Sequence, residues 1–340
     1  MARHVLHPNY ADHAVESHRD DRGRNASRPQ DVPARGWKDV AIRVKNEMTA
    51  DNVDIIAGGL ALYALLAVFP ALAAAVSIYG LFSSPADIAS HLQQVSAALP
   101  EDATNILQQQ LSKLAEHPQD TLSFGIVIGI ALALWSARKG MVALMTATNI
   151  AYDEEEQRGF FKQLLVSLAF TIGAVIGFLA VLLLGVAVPF ALSLLPLGPA
   201  AEIVLLAARW ILLFGVAVLG LAVVYRFAPD RNQAQWRWVT PGSLIAATLW
   251  LIGSALFALY ARNWGSYGET YGALGGVVVL LMWFYLSGYI IILGAEINAE
   301  LERQTKKDTT TGPPRQLGAR GAYSADTLGP TSEEMKRTGQ

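Results

Sequence analysis

The sequence predicts an all-α fold, a polytopic membrane bundle of about six transmembrane helices with amphipathic helices in the first outer loop. Two observations carry this. Charge is scarce, since only 16% of the 340 residues are Asp, Glu, Lys or Arg while 53% are hydrophobic; a soluble domain carries about 25% charged residues. The charges also gather at the ends and in short clusters. The runs between them reach the ~20 residues that cross a ~30 Å hydrocarbon core at ~1.5 Å per residue.

Residues 1–34 are rich in Arg, Asp, His, Pro and Asn without apolar periodicity, a composition that buries too little surface to offset chain entropy, so a disordered tail is expected. No short hydrophobic core near the start suggests a signal peptide. Trp37, Val40, Val44 and Met48 fall at helical spacing and predict an amphipathic helix lying on the membrane surface. The expected spans are Ile55–Phe82, Leu122–Ala137, Leu164–Val188, Ala201–Val224, Gly242–Ala261 and Tyr271–Ala295, of which the second is short. The membrane domain is thus expected over 35–302. Residues 140–152 either form an interfacial helix or extend the second span inward, and periodicity does not choose between them.

Between the first two spans, Ser84-Pro85-Ala86-Asp87 has the form of a helix start, with a capping serine and proline at the first helical position. Apolar stripes at Ile88, Leu92, Val95, Leu99 and at Leu107, Leu111, Leu114 predict two amphipathic helices over the outer face. From 303 to 340 the Thr, Gly, Pro, Lys and Arg content predicts a second disordered tail.

Basic residues set the orientation. Lys38, Arg43, Lys45, Arg138, Lys139, Arg158, Lys162, Arg226, Arg231, Arg237, Arg303, Lys306 and Lys307 lie in one alternating set of segments, and only Lys113 and Arg262 in the other. Both termini are expected in the cytoplasm.

Ionisable groups at membrane depth are functional candidates by default. Arg209 and Glu202 lie in the fourth expected span, Glu296, Asn298 and Glu300 at the exit of the sixth, and Glu269 with Arg262 at the last outer loop. Pro70, Pro189 and the glycine-dense stretch with Gly272, Gly275 and Gly276 are candidate helix breaks, a device of transporters. Gly268, Gly272, Gly276 and Ala169, Gly173, Gly177 recur every fourth residue, a spacing that lets helices approach closely in lipid. Trp236, Trp238, Trp264 and Tyr267 fit interfacial aromatic belts.

Other chemistry is poorly supported. Cysteine is absent, which removes disulfides, thiolate metal sites and a cysteine nucleophile. Four of the six histidines sit in the N-terminal tail. The net charge of −2 gives no basic field for nucleic acid, and neither a phosphate-binding GxxxxGK[ST] loop nor a GxSxG turn occurs. No cofactor and no metal are expected; the bilayer is the expected partner, with a homo-oligomer as an open option.

Several ordered motifs resemble the YihY/BrkB family of bacterial inner-membrane proteins. These are Ala57-Gly58-Gly59-Leu60-Ala61-Leu62-Tyr63 with Val68-Phe69-Pro70, Asn149-Ile150-Ala151-Tyr152 with Arg158-Gly159-Phe160-Phe161-Lys162, and Tyr225-Arg226-Phe227-Ala228-Pro229 with Trp238 and Pro241-Gly242. They end with Tyr271-Gly272-Ala273-Leu274-Gly275-Gly276, Trp283-Phe284-Tyr285 and Gly294-Ala295-Glu296-Ile297-Asn298. Arg158-Gly159 departs from the family, which usually has proline after that arginine. The resemblance implies six helices in the inner membrane; the family carries ribonuclease and virulence-factor labels, and it transfers no mechanism. A transporter or exporter of a small or amphiphilic molecule is the expected function, with an envelope-organising protein as the alternative and an enzyme not expected.

Overall fold

The computed structural model describes residues 21–80, 119–187, 198–263 and 273–338. The outer segment 83–118, Pro189, Glu269 and Gly272 lie outside the described residues, and the expectations placed on them are not addressed by the structure. All named secondary structure among the described residues is helical, apart from an isolated antiparallel bridge between Ala234 and Thr310.

Helix α1 (Ala34–Ala50) carries the amphipathic pattern and turns through 66° into α2 (Val53–Gly80). The elbow is Asp51-Asn52, where Asn52 takes the left-handed conformation at φ 51, a region asparagine tolerates better than most residues. Then follow α3 (Gln119–Ala151), α4 (Phe160–Leu182), which ends in a π-helical turn at Leu183–Ala187, and α5 (Pro199–Phe227). The series continues with α6 (Trp236–Asn263), α7 (Ala273–Glu302) and the short α8 (Tyr323–Asp326) and α9 (Ser332–Thr338). Consecutive long helices pack side by side, and α7 closes the arrangement against α2.

Among the described residues, four helical stretches are long and apolar enough to cross a membrane: Phe160–Gly185, Ile203–Phe227, Trp236–Ala261 and Gly275–Glu302. A fifth is reached when the bent pair Ala34–Ala50 and Val53–Ala67 is taken as one span. The described part of each of the six expected spans falls on a long helix, that of the second on α3. That helix runs unbroken for 33 residues, about 50 Å at ~1.5 Å per residue, so residues 140–152 extend it rather than forming a separate interfacial helix.

Two expected breaks are not breaks. Pro70 lies inside continuous α2, and Gly275 and Gly276 lie inside continuous α7. At membrane depth an interrupted helix leaves backbone groups without partners, so a chain stays helical through a proline or glycine wherever its neighbours permit. The expected small-residue packing at Gly173 and Gly177 is also not made among the described residues, since a Cβ built at either position meets nothing within 4 Å.

Burial divides the bundle into two zones. The core of Val53, Ala57, Leu60, Ala147, Tyr152, Tyr225, Val239, Ile292, Ala295 and Ala299 lies at one end, called the base here. Away from it, Ile172, Ile176, Ile203, Ile211, Leu219, Leu251 and Leu256 stand exposed, as side chains do whose natural solvent is lipid. The α6–α7 contact in this zone is held by Trp250 Nε1 donating to Ser287 Oγ at 3.0 Å and Trp283 Nε1 donating to Ser254 Oγ at 3.2 Å.

The described parts of the tails depart furthest from expectation, residues 1–20 lying outside the described residues. Residues 21–33 and 303–338 fold against the base: Gln304, Thr305, Thr309 and Ser324 are fully buried. Lys306 N–H donates to Arg24 O at 2.8 Å, Thr305 Oγ1 to Ala26 O at 2.7 Å and Gln304 Nε2 to Arg22 O at 2.7 Å. Arg320 donates to the carbonyls of Lys306 at 2.6 Å and Ala325 at 2.5 Å. These segments are ordered by polar pairing to other backbone, which a composition argument based on apolar surface does not weigh.

Candidate functional site

The 28-residue stretch Gly275–Glu302 is about 42 Å long, some 12 Å more than a ~30 Å core needs. Its last two turns exceed what a core requires and lie in the base, where Glu296, Asn298, Glu300 and Glu302 are all at most 2% exposed. Residues four apart share a helix face, and the four side chains separate accordingly into two pairs.

Asn298 and Glu302 face α6 and the turn before it. Pro241 inside α6 cannot donate to the helix ladder and loosens it. Asn298 completes the pairing there: Gly242 N–H donates to Asn298 Oδ1 at 2.8 Å, and Asn298 Nδ2 donates to Val239 O at 3.1 Å. The helices touch so closely that a Cβ at Gly242 would lie 2.1 Å from Gly294 O. One turn on, Glu302 accepts from Arg231 Nη1 at 3.1 Å and Nη2 at 2.7 Å, and from Thr309 Oγ1 at 2.5 Å. This face of α7 is a lock between helices.

Glu296 and Glu300 face α1 and the turn after α3. Glu300 pairs with Arg43, which also donates to Gln304 Oε1 at 2.9 Å, and with Arg303 at 2.5 Å. Arg303 additionally reaches Glu47 at 3.1 Å and Asp153 at 3.9 Å. Burial, reinforced by Glu47 and opposed by Arg303, pushes the Asp153 carboxyl up to about 6. Glu296 pairs with no cation among the described residues. Its carboxyl lies in hydrogen-bond reach of the Asp51 carboxyl at the α1–α2 elbow, and its Oε1 finds no donor there. The hydroxyl of fully buried Tyr152 stands beside Asn298 without a well-formed hydrogen bond.

The remaining candidates are not drawn into this cluster. Arg209 makes no ion pair among the described residues; its guanidinium rests over the Trp210 ring at 5.3 Å and its Nε lacks an acceptor. Glu202 lies in the first turn of α5. Sequence reading found Glu296, Asn298 and Glu300 but missed Asp51, Tyr152 and Asp153. The available signal was positional: Asp51-Asn52 interrupts two helical patterns, and Tyr152 closes the Asn149-Ile150-Ala151-Tyr152 motif.

Two cavities, each of about 640 Å³, follow one another along the outward stripe of α7. One is apolar, lined by Gly58 and Leu62 of α2, Phe257 of α6, and Met282, Tyr285 and Leu286 of α7. The other opens at the elbow, where Tyr289 and Leu293 meet Met48, Asn52, Lys45 and Asp54. Asp54, Gly58 and Leu62, and likewise Met282, Tyr285, Tyr289 and Leu293, are spaced three or four apart, so each set shares a helix face. Tyr285 lines the apolar cavity and Tyr289 the other, with their ring centroids 6.3 Å apart. Lys45 and Asp54 make no side-chain ion pair among the described residues.

No solved structure matches the chain. It is 36% identical over 259 residues to a putative ribonuclease-like protein, YfkH, of Bacillus subtilis, covering 73% of this chain and 89% of that one. It is 26% identical over 272 residues to a UPF0761 membrane protein of Albidiferax ferrireducens, spanning 79% of this chain but 64% of that longer protein. A UPF0761 membrane protein of Pseudoalteromonas translucida is 25% identical over 272 residues, with 78% and 86% covered. The model of the family described as virulence factor BrkB matches residues 44–318, a range that takes in the α7 exit and the first part of the folded tail. With its long apolar helices, the chain is a multi-pass integral membrane protein and belongs to the BrkB family.

Proposed function

We propose that this protein binds and moves an amphiphile along the α2–α7 groove, in a six-span bundle of the bacterial inner membrane whose base and both termini face the cytoplasm. The observation that carries the reading is the change of lining along one groove, from Gly58, Leu62, Met282 and Tyr285 at membrane depth to Lys45, Asn52 and Asp54 at the elbow. An apolar tail and a polar head match that gradient, because a ligand site combines mostly apolar walls with a few polar groups that fix orientation. Lys45 and Asp54 supply those groups.

The orientation rests on the basic residues of the base, among them Arg43, Arg158, Arg231 and Arg303. An enzymatic reading is the alternative that one relative's name raises. One relative's printed name is ribonuclease-like, yet among the described residues no group of three His, Cys, Asp or Glu is placed to hold a metal ion.

Photolabelling tests the groove. The full-length protein in lipid nanodiscs is irradiated with a diazirine-bearing phospholipid, and the adducts are mapped by peptide mass spectrometry. Adducts concentrated on peptides carrying Leu62 and Met282, and reduced by Met282→Trp, are expected. Labelling spread evenly over the exposed faces of α4 and α5 removes the reading.

A further inference from the structure

Glu296 is the least accommodated carboxyl in the described structure. It is 2% exposed, makes no ion pair among the described residues, and its Oε1 has no donor there. The ionisable group that acts on it most strongly is another acid, Asp51, in hydrogen-bond contact, followed by Glu300 and Glu47. From the turn after α3, the buried Tyr152 acts on Glu296, and Asp153 acts on Asp51 and Glu300. The nearby cations are committed elsewhere: Arg303 to Glu300, Glu47 and Asp153, and Arg43 to Glu300, Gln304 and the Pro330 carbonyl.

Two carboxyls in hydrogen-bond contact cannot both be ionised at that separation without a cation between them; the arrangement is satisfied when one holds the proton and donates it to the other. An isolated carboxylate buried without a partner is far less favourable than its neutral form. The stretch is no metal centre either, since no three ligand-type side chains converge among the described residues.

We propose that Glu296 and Asp51 form a proton-binding site at the base of α7, in which Glu296 carries the proton and Asp51 accepts its hydrogen bond. The site is independent of the identity of any amphiphile, but it is placed to communicate with the groove. Asp51 precedes Asn52, which lines the groove mouth and holds the left-handed turn of the elbow.

Infrared spectroscopy of the full-length protein reads this proton directly. At neutral pH the wild type is expected to show a carboxylic-acid C=O band that shifts on exchange into deuterium oxide. Glu296→Gln abolishes that band. Asp51→Asn, at the partly exposed elbow, keeps the band but moves its frequency, since the hydrogen-bond acceptor changes from carboxylate to amide. A wild type without the band, or a band unchanged in Glu296→Gln, overturns the proposal. Should Glu296→Gln fail to fold, an unmoved band in Asp51→Asn overturns it equally. Neither measurement uses a lipid ligand, so a failed photolabelling experiment and a failed proton site remain distinguishable.

Discussion

The lipid-facing helices and the base of the bundle are built on opposite principles. Along α4 and α5 the side chains are apolar and outward, and the Ile203–Phe227 stretch has none of its most apolar window buried. At the base, Arg43 of α1 and Glu296, Asn298, Glu300 and Glu302 at the end of α7 are buried together. The comparison teaches where this protein stores specificity. Apolar surface facing lipid holds the helices in the membrane but discriminates little, since lipid tails are as apolar as leucine. Buried polar pairs are exacting, because each group needs its own partner. Substitutions of similar size should therefore be severe at the base and mild in the spans.

The largest effect is expected at Arg231. Its bidentate pair with Glu302 is 1% and 0% exposed, and Arg231→Ala leaves a buried carboxylate with Thr309 as its remaining partner. Breaking such a pair costs about 3–5 kcal/mol, read as a large fall in the thermal midpoint of the purified protein. The double variant Arg231→Met, Glu302→Gln should recover most of the loss, because no charge is then left unpaired. If the double variant is as unstable as the single one, packing rather than charge holds this corner. An equally bulky change at Ile211, 71% exposed, is the control and should shift the midpoint little.

A smaller effect is expected from the close crossing of α6 and α7. Gly242→Ala places a methyl 2.1 Å from Gly294 O and 2.6 Å from Asn298 Cγ, so the helices must part. Overpacking costs about 1–3 kcal/mol, and the Asn298 hydrogen bonds to Gly242 and Val239 weaken with it. Gly173→Ala, with nothing within 4 Å of the new Cβ, should leave the midpoint unchanged. Equal losses at both positions would show that the glycines of α4 are also packed, against something other than the described residues of this chain.

How much of this was legible in the sequence follows the same division. The spans were readable because lipid imposes one rule, a long uncharged run, and Leu164–Val188 or Gly242–Ala261 obey it visibly. The base was half legible. Glu296, Asn298 and Glu300 drew notice as polar residues following an apolar run, but their partners Asp51, Arg231 and Tyr152 come from other segments that only folding brings near. The tails misled for a related reason: Gln304, Thr305 and Arg320 are polar by composition and buried in fact, and Arg22, Arg24 and Ala26 offer carbonyl groups to the first two. Pro70 misled in the other direction, since helix-breaking in water does not carry over to a segment whose backbone must stay paired.

The smallest effect sharpens the comparison, because it asks whether the acid-rich face of the base holds strain. Asp153 sits in a left-handed turn at φ 54 and its carboxyl is raised from 3.8 to about 6, chiefly by burial and then by Glu47. A raised acid in the folded state means that the folded protein binds more protons than the unfolded chain between those values. The contribution is fully present below about pH 4 and is lost as the pH rises through about 6. Stability from this group therefore falls across that window, by less than the full shift implies because the side chain is 43% exposed and screened by solvent. Asp153→Asn keeps the turn, since asparagine tolerates the left-handed region, and removes the titrating group. Thermal midpoints measured from pH 4 to 8 should fall less steeply in the variant than in the wild type, with the variant slightly the more stable at pH 7. Parallel curves would mean that Arg303, 3.9 Å away, already neutralises Asp153, and the strain on this face would then rest with Glu296 and Asp51 alone.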